Sequence, residues 1–223
     1  MNDFESLRAR KYRILVVDDH PIVRRGLAQF LEGTPDMEIC GGAESLAEAM
    51  QEIEKTCPDL ILVDISLKDS HGIELIAAVK ERFRHVKMLV WSMFDEKLFA
   101  ERALRAGGSG FINKQEPIEK VLVAIRQVLR GELYLSPQMT NLLLRRVGKG
   151  DHLDEDPVRS LTNRELEVFQ MIGKGLTTQQ VASGLDISRK TVEAHREKIK
   201  VKMNLRNAAE LTRYAVQWVL ENC

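Results

Sequence analysis

The chain has 223 residues, 44% hydrophobic and 30% charged, a balance that supplies packed cores and excludes wholesale disorder, with room for one domain of ordinary size and one smaller one. The formal net charge is zero, but residues 1–140 hold 19 Lys+Arg against 22 Asp+Glu and the remainder 14 against 11, so an acidic part precedes a basic one. Three scattered cysteines, Cys40, Cys57 and Cys223, form no Cys-x-x-Cys pair, and neither a signal core in the polar segment Met1 to Lys11 nor an apolar run of about 18 residues is present, which points to a reducing, cytoplasmic setting without a membrane partner.

From Arg13 to about Arg130, short β-rich apolar runs alternate with segments whose apolar residues recur at three- and four-residue spacing. The runs predict strands over Arg13–Asp18, Met37–Cys40, Asp59–Asp64, Lys87–Ser92 and Gly110–Asn113. Between them the spacing predicts helices over Pro21–Leu31, Ser45–Lys55, Gly72–Arg82, Glu96–Ala106 and Pro117–Leu129. Continuous apolar runs such as Ile14 to Val17 and Leu60 to Val63 suit strands buried on both faces. Five βα units imply a doubly wound α/β domain with a parallel sheet. After Gly131 and Pro137 come a short helix expected at Gln138–Arg146 and the polar stretch Gly148 to Pro157, read as an interdomain linker. From Ser160 onward no strand pattern remains, and the second domain is expected to be all α.

In a parallel sheet of this kind ligands sit beyond the carboxyl ends of the strands. Asp18 and Asp19 end the first predicted strand, Asp64 the third and Ser92 the fourth, while Lys114 follows the fifth. A strand-end aspartate that caps a helix or a solvated lysine is unremarkable alone; the coincidence of all five on one edge points to a site. Three carboxylates repel one another and call for a divalent cation, and all-oxygen ligands favour Mg²⁺. Such a cation counters the charge of an incoming phosphoryl group, so a carboxylate can attack phosphorus, with Lys114 and Ser92 on the phosphoryl oxygens. His20 and His71 are read as loop or helix-cap residues, since oxygen-ligated Mg²⁺ needs no imidazole.

Val16-Val17-Asp18-Asp19-His20, Leu62-Val63-Asp64, Val90-Trp91-Ser92 and Gly110-Phe111-Ile112-Asn113-Lys114 resemble the receiver domain of two-component response regulators. The resemblance implies that Asp64 is the phosphoacceptor, supported by Lys114 and Ser92, and that Mg²⁺ is held by Asp18, Asp19, Asp64 and the backbone carbonyl of Ser66. It also implies a switch pair, Ser92 and Phe111, in which Ser92 turns toward the phosphoryl group and the aromatic ring rotates inward. Where many receivers have Met-Pro after the phosphoacceptor, Asp64 is followed here by Ile65-Ser66-Leu67-Lys68-Asp69-Ser70-His71-Gly72, without the proline-set turn.

In the second part, Leu161-Thr162-Asn163-Arg164-Glu165 carries a capping-box start with Thr162 as N-cap. The helix runs to about Ile172, a second covers Thr177 to Ser183, and after a turn through Gly184-Leu185-Asp186-Ile187 Ser188 caps a third from Arg189 to Met203. Two short helices joined by a tight Gly-containing turn form a helix-turn-helix, whose second helix enters the DNA major groove. Val192, Ile199 and Met203 repeat toward a core, leaving Lys190, Glu193, Ala194, Glu197 and Lys198 outward. Arg189, Lys190, Arg196 and Lys200 are candidates for phosphate or base contacts, and His195 either donates to a phosphate or packs. Glu193 and Glu197 either accept from cytosine or pair with neighbouring cations.

Leu161-Thr-x-Arg-Glu, Gly175-Leu176-Thr177, Val181-Ala182, Leu185-x-Ile187-Ser188 and Thr191-Val192-x-x-His195 are similar to the LuxR-type helix-turn-helix of NarL/FixJ-class regulators, some of which carry a basic residue where Glu193 stands. The resemblance implies a helix-turn-helix over about 178–197 that contacts DNA through Thr178, Arg189, Lys190, Thr191, His195, Arg196, Lys198 and Lys200. It assigns 12–132 to the receiver, 133–158 to a linker and 159–223 to DNA binding. The last helix, Ala208 to Leu220, is by resemblance a dimer surface, although core packing alone explains Leu211, Ala215, Trp218 and Val219. Together these imply a transcription factor and not an enzyme, phosphorylated by a sensor histidine kinase, bound to promoter or operator DNA, and a homodimer when phosphorylated. The rivals are an aspartate-nucleophile phosphatase, which commonly needs a second acid where this chain has Ser66, and a DNA-binding protein with a vestigial receiver.

Overall fold

Ile14 to Val17, four consecutive apolar residues, form the C-terminal two thirds of the first strand, and each is at most 1% exposed, as a strand covered on both faces requires. A computed structural model describes residues 10–68, 70–149 and 157–222, the side chains of 146–149 and 222 excepted. The N-terminal segment to residue 9, the 150–156 part of the expected linker, Asp69 and Cys223 lie outside the described residues. The chain divides into two compact units, Met1–Met93 with Ala103–Tyr134, and Phe94–Arg102 with Leu135–Cys223.

The first unit is built on β1 (Tyr12–Val17), α1 (Pro21–Glu32), β2 (Met37–Ala43), α2 (Leu46–Thr56), β3 (Leu60–Val63), α3 (Gly72–Arg82) and β4 (Lys87–Ser92). After α4 (Glu96–Ala106), whose residues are divided between the units, it resumes with β5 (Gly110–Asn113) and α5 (Ile118–Leu129). All strand pairs are parallel and the order is β2-β1-β3-β4-β5, so the chain turns back between β1 and β3, where such sheets place their ligand crevice. Ile14, Val16, Leu60, Leu62, Leu89 and Trp91 point to one face and pack with Leu27 and Leu31 of α1 and Val121, Ala124, Ile125 and Val128 of α5. Residues of opposite parity, Leu15, Val17, Ile61, Val63, Met88 and Val90, are equally buried and belong to the other face, since successive strand side chains alternate.

Strand β2 runs three residues past the expected Cys40, through Gly41, Gly42 and Ala43, paired to β1 across a register shift at Ile14/Leu15. The glycine pair hid it, having no side chains to alternate. A Cβ at Gly41 would lie 2.8 Å from the Glu52 carboxylate and 3.2 Å from Leu15 Cδ1, so a larger residue there would require those side chains to shift.

The loop after β3 lacks the proline-set turn yet is pinned at several described residues. Ser66 and His71 form an antiparallel bridge, Gly72 N–H donates to the Ile65 carbonyl at 2.7 Å, and the Ser70 hydroxyl accepts from Leu46 N–H at 3.3 Å. His71 is the N-cap of α3, as the sequence reading allowed, its Nδ1 accepting from Ile73 N–H at 3.2 Å. Gly72 then starts α3 so close to the strand end that a Cβ would collide with the Asp64 carbonyl oxygen.

In the second unit the helix expected at 138–146 is α6, Pro137–Lys149, and a 3₁₀ turn at Pro157–Ser160 precedes α7 (Asn163–Gly173), α8 (Thr178–Gly184), α9 (Arg189–Lys202) and α10 (Ala208–Asn222). Thr162 and Glu165 form the expected capping box, and Thr177 and Gln180 form a second at α8. The turn between α8 and α9 does not take its left-handed residue from Gly184, which ends α8; Asp186 adopts φ 48° instead. Aspartate tolerates that region better than most residues. Phe169 of α7 meets Trp218 edge-on at 6.1 Å between ring centroids and Tyr214 at 6.2 Å, while Leu211 and Ala215 are fully buried, so α10 spends one side on the core.

Replacing Gly72 by alanine is expected to destabilise the first unit by about 1–3 kcal/mol, because the obstacle is backbone and cannot rotate away. Chemical denaturation measures this, and an unchanged midpoint would mean that the loop yields instead.

Candidate functional site

Four strand ends bring the predicted pocket together. Asp18 follows β1 and is 1% exposed, Asp64 follows β3 at 6%, and Ser92 ends β4 at 1%. Lys114 follows β5, its backbone N–H bonded to the Ser92 carbonyl at 2.9 Å. The Lys114 ammonium donates to Asp18 Oδ2 at 2.6 Å and to Asp64 Oδ2 at 2.5 Å. On the other Asp64 oxygen, Ser92 Oγ donates to Oδ1 at 2.6 Å and Ile65 N–H at 2.7 Å. Phe111, the other expected switch residue, is 1% exposed on β5, and Ser66 lies two residues past Asp64 in the bridge to His71.

Asp18, Asp19, Asp64 and His20 each offer one ligand atom, and these atoms lie within 4.8 Å of one another. His20 occupies the N-cap position of α1 but its side chain caps nothing. It turns instead to the carboxylates, with Nδ1 2.6 Å from Asp19 Oδ1 and 3.3 Å from Asp18 Oδ1. Despite that proximity, the buried Asp19 Oδ1 accepts no aligned hydrogen bond, which leaves an oxygen donor aimed into an acidic cluster. Oxygen ligands of this kind suit a hard divalent cation, so the donor set fits Mg²⁺.

Sequence reasoning missed three contributors. Arg24 of α1 donates to the Asp18 carbonyl, and the Lys114 ammonium lies 5.6 Å from the centre of the Trp91 ring, within cation–π range. A cavity of about 460 Å³ also adjoins the pocket, sharing His20 and Lys114 and floored by Trp91, Val23 and Leu27. Arg24 and Val23, at the fourth and third positions of a helix that reads as merely amphipathic, gave no signal; Trp91 beside Ser92 could have been found from strand alternation.

Burial pushes the Asp64 carboxyl above the ordinary carboxylate range and the Asp18 charge adds to this, with Lys114 opposing. Burial alone would lower Lys114, but Asp64 and Asp18 outweigh it and keep the ammonium charged. A raised carboxyl pKa means that the folded chain holds that proton more tightly than the unfolded chain. Ionised Asp64 therefore costs stability above the unfolded value of 3.8, and the cost is relieved as pH falls through the folded value. Without divalent ions at pH 7, Asp64→Asn is expected to melt no lower than wild type; a clear drop in thermal midpoint would show that pairing with Lys114 outweighs desolvation.

In the second unit the helix-turn-helix residues lie as expected on α8 and α9. Val192 and Ile199 are fully buried and Met203 is 7% exposed, whereas Arg189, Lys190, Thr191, Glu193, Ala194, Glu197 and Lys198 are exposed and Thr178 is half-buried. Arg196 and Lys200 differ from the rest: their side chains are only 15% and 18% exposed and lie against Glu193 and Glu197. Two ion pairs fix the helices that carry this surface. Lys202 at the end of α9 pairs with Glu165 of α7 at 2.7 Å, and Arg164 of α7 pairs with buried Glu167 at 2.7 Å while donating to the Leu185 carbonyl behind α8 at 2.6 Å.

His195 is half-buried, and its Nδ1 has no hydrogen-bond partner among the described residues. Burial holds the imidazole below the ordinary histidine range, and the Arg164 and Lys198 charges push the same way, so at pH 7 it is neutral and packs. A depressed histidine pKa contributes stability that is complete above the unfolded value of 6.5 and is lost as pH falls toward the folded value. Between pH 7 and 6 the thermal midpoint of the second unit is expected to fall in wild type and to fall less in His195→Gln; equal slopes would mean that the imidazole protonates freely.

Comparison with known proteins matches a family to each part of the chain. Residues 14–126 match the response regulator receiver domain and residues 159–215 the bacterial regulatory proteins of the luxR family. The oxygen regulatory protein NreC of Staphylococcus carnosus is 35% identical over 210 residues, 92% of this chain and 97% of the relative. Its counterpart in Staphylococcus haemolyticus is 34% identical over the same shares. Among solved structures, a LuxR-family two-component response regulator from Aurantimonas sp. superposes with a TM-score of 0.58 at 30% identity over 62% of this chain and 99% of its own. RcsB from Salmonella enterica serovar Typhimurium, bound to promoter rprA with phosphomimetic BeF3−, shares the fold with a TM-score of 0.59 at 22% identity, covering 93% of this chain and 99% of that one.

Proposed function

Since this chain belongs to the two-component response regulators with a LuxR-type DNA-binding domain, we propose that a phosphoryl group passed from a sensor histidine kinase to Asp64 controls dimerisation and promoter binding by residues 159–223. The observation that carries the reading is the convergence of Asp18, Asp64, Ser92 and Lys114 from four strand ends into one hydrogen-bonded group. An Asp64 oxygen attacks the phosphorus, the bond from phosphorus to the donor imidazole breaks, and an acyl phosphate remains on Asp64. Lys114, already charged, follows the negative charge onto the phosphoryl oxygens, and the Ser92 hydroxyl moves its hydrogen bond from the carboxylate to one of them. Asp18, Asp19, Asp64 and the Ser66 carbonyl would hold Mg²⁺, which when bound offsets the charge of the incoming phosphoryl group.

Ser92 and Phe111 form the switch in this reading. Phe111 is already buried and Ser92 already faces Asp64, so phosphorylation stabilises this inward arrangement against one in which both turn outward. The pocket acts on its own phosphoryl group and turns over no separate substrate. The phosphatase alternative finds no second acid at Ser66, and the vestigial-receiver alternative leaves the buried Lys114 pairing unexplained. No helix among the described residues is long and apolar enough to cross a membrane, and we place the protein in the cytoplasm with its kinase and DNA partners.

On DNA, the exposed cations Arg189, Lys190 and Lys198 are assigned to phosphates, with Thr178 and Thr191 beside them. Arg196 and Lys200 act from their partly covered positions, and His195 supports the helix as a neutral group. A small phosphodonor with Mg²⁺ is expected to modify wild type and leave Asp64→Asn unmodified, read by intact-protein mass; labelling of the substituted chain would move the acceptor elsewhere. Lys190→Ala is expected to weaken binding on all DNA sequences alike and to reduce the slope of log affinity against log salt by about 1. An unchanged slope would remove Lys190 from the phosphate contacts.

A further inference from the structure

The face that α9 turns outward carries two carboxylates, Glu193 and Glu197, where binding to a polyanion would favour cations. They are held differently. Glu197 pairs with Lys200 of its own helix at 2.9 Å. Glu193 is tied to the other helix of the motif: its Oε1 accepts from Thr178 Oγ1, at the start of α8, at 2.9 Å, and its Oε2 lies 3.6 Å from Arg196 Nε. The side chain remains 54% exposed, and a carboxylate accepts up to about four hydrogen bonds, so lone pairs remain for a further donor. Glu193 is also the fifth residue of α9, on the N-terminal half that reaches base edges when the second helix of such a motif enters the groove.

A carboxylate brought between two phosphate backbones is repelled by both unless it finds a donor on the groove floor. In the major groove the donors are the amino groups of cytosine and adenine. Adenine sets its N7 acceptor beside its amino group, which repels a carboxylate, whereas cytosine offers the amino hydrogen with no acceptor on the same base edge. The tether to Thr178 removes rotamer freedom before DNA arrives, which makes the contact directional as well as favourable.

Resting on the DNA-binding reading above, we propose that Glu193 is the residue of α9 that reads sequence, by accepting the N4 hydrogen of a cytosine, with Thr178 as the positioning residue that aims it. The Arg196 guanidinium offsets the carboxylate's charge toward the backbone. Glu197, lacking a link to α8, remains a partner of Lys200 and reads nothing.

The test is selection of bound duplexes from a random pool by the full chain, held in its activated form by Mg²⁺ and beryllofluoride. Wild type is compared with Glu193→Gln, which keeps shape and removes charge, and with Thr178→Val, which removes the tether. Wild type is expected to fix a C·G pair at one position of each half-site. Glu193→Gln should lower the preference for cytosine there by roughly tenfold or more and shift it toward adenine, which a glutamine amide can pair with, leaving other positions unchanged. Thr178→Val should weaken the same preference without moving it. If Glu193→Gln selects the same base at every position, or if the change falls at a different position in Thr178→Val, the assignment is overturned while DNA binding stands. If wild type enriches no sequence, the DNA-binding reading falls and this one with it.

Discussion

A single ammonium, that of Lys114, lies between two buried carboxylates and joins the end of β5 to the ends of two strands with which β5 does not pair. Asp18 and Asp64 stand on neighbouring strands, and two like charges at 1% and 6% exposure could not both stay ionised there without a cation between them. Lys114 supplies it from β5, reaching across β4, with its own backbone anchored to Ser92 and its charge facing the Trp91 ring. Any anion or cation that enters the pocket must exchange partners with this lysine. Binding is thus coupled from the outset to the fourth and fifth strands, which carry Ser92 and Phe111.

The architecture was legible because its signals are redundant. Strands β1, β3 and β4 carry continuous apolar runs, the helices have their own period, and the polar residues fall at the strand ends where a sheet of this topology gathers its ligands. The pocket residues were legible for the same reason: position in the repeat fixed Asp18, Asp64, Ser92 and Lys114 before any contact was known. What escaped was governed by absences of side chain or by neighbours remote in sequence. Gly41 and Gly42 continue β2 without an apolar signal. The Asp64 loop is tied by the Ser66–His71 bridge and the close start of α3, although nothing in its composition announces either. The His20 side chain caps nothing at α1 and lies instead beside the carboxylates of Asp18 and Asp19.

In the second unit capping chemistry was the reliable guide. Thr162, Thr177 and Ser188 each accept at the start of a helix, and the buried stripe of α9 followed from spacing alone. Charge was the poorer guide. Arg196 and Lys200 read as candidates for DNA contacts in the sequence, with pairing to the glutamates left open; each lies against a glutamate one turn earlier and is largely covered, because a helix surface brings residues three apart together. The basic run therefore overstated the positive field that α9 presents, and the tethered glutamate became visible only once α8 was set beside it.

The order β2-β1-β3-β4-β5 has a consequence for how the molecule comes into being. Its pocket draws on residues 18, 64, 92 and 114, and such long-range parallel pairing is slow to form because each strand waits for a distant partner. A chain leaving the ribosome carries Asp18 and Asp64 well before the lysine that reconciles them has been made. The assembled pocket thus matures last, so a half-made or misfolded copy lacks it.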